Sequence, residues 1–169
     1  MNAERQQALW NSIYTGLIGY LAVAVFFIVL DPLLGRGFFY TPALLGAALF
    51  YGLSDPAALV IQPGPIIAYN GAHLVVFLVL GLVVGELTYV SVRLRQQTWY
   101  LVTMLVILVL GHLYVALWVL TEPVRSALPV WMITVAGLVA VVAMVVCLLI
   151  IYPQLRGELV EGNRGSRRS

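Results

Sequence analysis

His73 and His112 are the only histidines in a chain of 169 residues. Both sit inside aliphatic runs, "YNGAHLVVFLVL" and "LVILVLGHLYVALW". An ionisable side chain in such surroundings is costly, which makes it a candidate for function. A neutral imidazole offers one N–H and one bare nitrogen. Two of them on facing helices can therefore ligate one haem iron, or bond to the carbonyl of a quinone. Tyr69, Asn70 and Tyr114 add hydroxyl and amide groups close by in sequence. The competing reading is structural, with each ring bonded across helices to a hydroxyl or a carbonyl. The structural reading is the expected one. Haem b and quinone are the cofactors the pair would take otherwise, with neither favoured.

Glu86, in "GLVVGELTYVSVRLR", is the other polar intruder. A proton or cation site of a small transporter would need it near the middle of the membrane. Counting places it one to two turns from the nearer interface, where it can snorkel or pair with Arg93 or Arg95. Cys147 is the only cysteine, so an intramolecular disulfide and a dithiol centre are excluded. No Ser-His-Asp set, paired catalytic carboxylates or phosphate-cradling glycine loop occurs, and no enzymatic activity is expected.

These residues are positioned by a chain that is 62% hydrophobic and 9% charged. Soluble domains carry roughly a quarter of their residues as charges. Only an all-α integral membrane protein fits, with one transmembrane domain over residues 1–153. A net charge of +2, scattered along the chain, excludes nucleic acid as a partner. Crossing the hydrocarbon core takes about 20 apolar residues, and four segments qualify: 13–30, 66–92, 99–120 and 130–152. Asp31-Pro32 is read as the end of the first, Pro65 as the opening of the second, and Pro153 as the end of the fourth. The first is expected to remain as an anchor, since no small-residue cleavage site follows it. The stretch 38–53 would reach roughly 24 Å as a helix against a core of roughly 30 Å. It is expected to be a short interfacial or re-entrant helix between the first and second spans of a four-helix bundle, with a fifth span as the alternative. Residues 154–169 lack apolar periodicity and read as a flexible tail.

Arginines set the orientation, because basic loops stay in the cytoplasm. With four spans, Arg5, Arg93, Arg95, Arg156, Arg164, Arg167 and Arg168 fall on one side, and Arg36 and Arg125 on the other. A five-span arrangement splits them equally well, and both put the C-terminus in the cytoplasm of a bacterial-type inner membrane. His73 then lies about 10 Å below the start of the second span, and His112 about 13 Å below the end of the third. The two spans are antiparallel, so the histidines share a depth. Gly16 and Gly19, Gly81 and Gly85, and Ala136 and Ala140 form small-residue stripes suited to close helix contact. With little mass outside the lipid, the expected role is an accessory or structural subunit of a larger membrane complex. A haem- or quinone-binding electron-transfer protein is the second reading and a small transporter the third.

Overall fold

The computed structural model describes residues 3–94, 98–120, 122–153 and 155. Among the described residues there is no strand, and helices make up nearly the whole chain. In order they are α1 (Ala3–Leu33), α2 (Tyr40–Phe50), α3 (Pro63–Leu94), α4 (Thr98–Val119), α5 (Glu122–Ser126) and α6 (Val130–Ile151), with a single 3-10 turn at Pro56–Ala58. Three stretches are long and apolar enough to cross a membrane: Glu4–Leu33, Pro63–Tyr89 and Val130–Ile151. The described chain is all-helical, with three helices that could span a membrane. α4 has 22 residues, and Tyr100–Ala116 is its described apolar part.

The sequence misplaces the end of α1. The helix does not stop at Asp31-Pro32 but runs through it to Leu33. A proline so near the end removes one backbone donor and leaves the turn otherwise intact. The stop is Gly35, with φ of 72°. Arg36 N–H donates to the Asp31 carbonyl (2.9 Å) and Gly35 N–H to the Pro32 carbonyl (3.0 Å), the paired closure of a glycine-terminated helix. α3 likewise begins earlier than expected, at Pro63. The stretch 38–53 condenses to the 11 residues of α2, closed by Gly52 at φ 73°.

α1 packs against both α3 and α6, and α2 packs against α3. Where α1 crosses α3, glycine meets backbone. A Cβ on Gly81 would lie 2.5 Å from the Ser12 carbonyl oxygen and 2.7 Å from Gly16 Cα, one on Gly16 would strike the Phe77 carbonyl, and one on Gly85 the Ser12 side chain. Lipid supplies no hydrophobic drive between helices, so this contact and its dispersion energy hold the pair. On α6, Ala136 and Ala140 are fully buried beside Met132 and Met144. A second core gathers Leu44 of α2 with Leu120, Val124, Leu128 and Ile133.

α2 lies across the start of α3, where Gly46 abuts the Pro65 backbone. It is fastened to α1 by Asp31, whose buried carboxylate accepts from Thr41 N–H (2.8 Å) and Thr41 Oγ1 (2.7 Å). Arg36 rests on the Tyr40 ring at 4.8 Å and donates to the Ala127 carbonyl at 3.3 Å, tying this corner to the turn before α6. Of the expected tail at 154–169, only Leu155 falls within the described residues. It is buried, against Leu101, Leu105 and Leu148, and so belongs to the bundle. The arginines at 156, 164, 167 and 168 lie outside the described residues.

Candidate functional site

Tyr69, His73 and Phe77 are spaced four apart on α3, so they stack along one helix face. Tyr69 lies flat on His73, with centroids 5.1 Å apart and planes at 18°. Phe77 meets His73 edge-on at 4.9 Å. His112 of α4 completes the group, 6.0 Å from His73 and 5.5 Å from Phe77. Antiparallel helices with matched counts thus bring the two imidazoles side by side.

Their nitrogens are poorly served. His73 is 8% exposed, and its Nε2 is buried without a hydrogen bond. Neither nitrogen of His112 makes one either. The carbonyls of Leu108 and Val109, one turn back, come near the His112 ring but not at hydrogen-bond geometry. An unsatisfied buried donor or acceptor typically costs about 1–3 kcal/mol. The structural reading required these rings to be satisfied by protein neighbours. Three of their four nitrogens are not.

Both rings form part of the wall of a cavity of about 140 Å³. α2 contributes Thr41, Leu45 and Leu49, α3 adds Tyr69, Ala72 and Val76, and α4 adds Leu113 and Ala116. No Asp, Glu, Lys or Arg among the described residues lines it. Leu49, Ala72, Val76 and Ala116 are also exposed, which places the mouth between α2, α3 and α4.

A haem does not fit between these imidazoles. The centroids of His73, His112 and Phe77 form a triangle with sides of 6.0, 4.9 and 5.5 Å. The median of that triangle puts Phe77 about 4 Å from the midpoint between the histidines, nearly equidistant from both. A porphyrin plane standing between two axial imidazoles would pass through the Phe77 ring. Phe77 cannot step aside. It is fully buried and pressed against Gly19, where a Cβ would come within 2.8 Å of it. Gly71 and Gly111, the glycines nearest the two histidines in sequence, give no room either: they face open space, with nothing within 4 Å of a Cβ built on either.

Of the other expected site residues, Asn70 stays beside His73 while Tyr114 and Glu86 do not. Asn70 accepts from Tyr20 Oη (3.1 Å) and donates to the Ile66 carbonyl (2.8 Å). It therefore fastens α3 to α1, and with Tyr69 and His73 it lines a smaller pocket of about 40 Å³ beside the cavity. Tyr114 pairs with Thr134 Oγ1 of α6 at 3.0 Å, on an exposed face away from the histidines. Glu86 is exposed on α3, about 20 Å along the helix from His73 by its rise, and forms no part of the cavity. Its suggested partners, the Arg93 and Arg95 side chains, lie outside the described residues. Sequence reasoning missed Phe77, although its i+4 spacing from His73 is the signal that locates it. It also missed Thr41, which reaches the cavity from a helix far away in sequence.

No family model matches the chain, and neither a curated protein nor a solved structure resembles it.

Proposed function

We propose that this chain is a four-span protein of a bacterial-type inner membrane, crossing with α1, α3, α4 and α6, with α2 dipping into the outer leaflet and the C-terminus in the cytoplasm. The 22 residues of α4 cover roughly 33 Å as a helix, enough for the core. Arginine placement supports the orientation. Reporter fusions test it. A fluorescent protein at the C-terminus is expected to fluoresce, and an alkaline phosphatase there to be inactive; the reverse pair of results would invert the topology.

Within that frame the protein is a non-catalytic, accessory subunit of a membrane assembly, and its own working part is a pocket for a lipid-soluble ring. One observation carries this reading: the apolar cavity of about 140 Å³ whose wall includes two under-bonded imidazoles. An apolar cavity of about 150 Å³ is known to stay dry and accept benzene, so the space suits one six-membered ring. A typical small-molecule site of roughly 300–1,000 Å³ is larger, which fits a ligand whose remainder lies in lipid. The subunit role draws on how little of the described chain lies outside its long apolar helices. Mild-detergent purification from the native membrane is expected to yield a stoichiometric partner and about one equivalent of a lipid-soluble ring compound per chain. A protein isolated alone, with only phospholipid in its organic extract, would end the reading.

A further inference from the structure

Resting on the reading of the cavity as a ring pocket, we propose that its ligand is a lipid-soluble quinone. The head ring sits against His73 and His112, its carbonyl oxygens accept from their N–H groups, and its tail leaves past Ala72 and Ala116 into the bilayer. Four observations converge on that chemistry. The volume of about 140 Å³ admits one ring and excludes fused-ring sterols or a macrocycle. The unpartnered imidazole nitrogens call for a polar ligand, because a hydrocarbon would leave each as costly as before. No charged side chain among the described residues lines the space, so a carboxylate or phosphate headgroup would enter with its charge unbalanced. The mouth lies where Ala72 and Ala116 are both small and exposed, leaving a gap in the wall for an alkyl tail.

A neutral imidazole also serves both forms of such a ligand. Its N–H donates to the carbonyl of the quinone, and its bare nitrogen accepts from the hydroxyl of the quinol. The nitrogens are sealed from solvent before binding, so reaching a carbonyl requires the rings to turn, an adjustment common when sites fill.

The test uses the full chain in nanodiscs, with empty nanodiscs subtracting partition into lipid. The probe is a decyl-substituted dimethoxy-methyl-benzoquinone, and decylbenzene is the hydrocarbon control. The quinone is expected to bind saturably at one per chain, at least tenfold tighter than decylbenzene, with its carbonyl stretch lowered in the infrared. His73→Phe and His112→Phe are each expected to weaken the quinone about tenfold and leave decylbenzene unchanged. If either variant fails to fold, Ala72→Leu and Ala116→Leu at the mouth replace it and are expected to block both probes. Saturable binding of quinone and decylbenzene alike, or an unshifted carbonyl band, overturns the quinone assignment and leaves the ring pocket standing. Saturable binding of neither removes both.

Discussion

Gly81→Leu is expected to destabilise the bundle by about 3 kcal/mol, the upper end of what overpacking usually costs. The three atoms nearest a Cβ at Gly81 are all backbone: the Ser12 carbonyl oxygen and the N and Cα of Gly16. No side chain can rotate away, so α1 and α3 must move apart along the most extensive contact in the molecule. Dispersion falls steeply with separation, and in lipid no compensating hydrophobic term restores the pair. The wedge at Phe77 would loosen too, since it is trapped between Gly19 and the imidazoles. Gly71→Leu is the control, because that position opens onto empty space, and it is expected to change stability by no more than about 0.5 kcal/mol. Unfolding midpoints in mixed detergent micelles measure both. Equal midpoints for the two variants would mean that α1 and α3 do not cross at glycine.

The contrast between those two glycines marks what the sequence can disclose. Span existence follows from apolar length, and the closeness of His73 to His112 follows from counting rises along antiparallel helices. Helix rotation does not follow. In a soluble helix the polar face reveals it, but here lipid-facing Val75 and Val79 are as apolar as core-facing Phe77 and Leu80. Periodicity is therefore silent about which face is inside. Tyr114 and Glu86 look like site residues in sequence and turn outward in space for that reason. Small residues are no better guide alone: Gly81 is clamped and Gly71 is free. The helix ends teach a related lesson. Pro32 is the louder signal, but Gly35 stops α1, because only the left-handed turn there lets the last carbonyls find donors. The Asp31–Thr41 link was hidden because it joins two elements whose relative placement depends on that turn.

Asp31→Ala is expected to cost about 3 kcal/mol and to release α2 before the rest of the bundle melts. The carboxylate is fully buried and takes two short hydrogen bonds from Thr41. Bonds to a charged group are worth about 1.5–3 kcal/mol each, and removing the acceptor strands a buried N–H and a buried hydroxyl. The N–H belongs to the first turn of α2, where helix donors have no partner within the helix and a negative charge is favoured by the dipole. No side chain caps that end from within α2, so Asp31 is an N-cap delivered from another helix. Asp31→Asn keeps one acceptor and is expected to lose about 2 kcal/mol, and Thr41→Val, which removes only the hydroxyl bond, about 1.5 kcal/mol. Hydrogen exchange resolves where the loss falls: amides of Tyr40–Phe50 should exchange faster in Asp31→Ala while those of α6 stay protected. Thr41, Leu45 and Leu49 are one wall of the histidine cavity, so the same variant should weaken ring binding without touching either imidazole. Uniform exchange across the bundle, or unchanged binding, would mean that α2 holds its place through Gly46 and Pro65 and not through the carboxylate of α1.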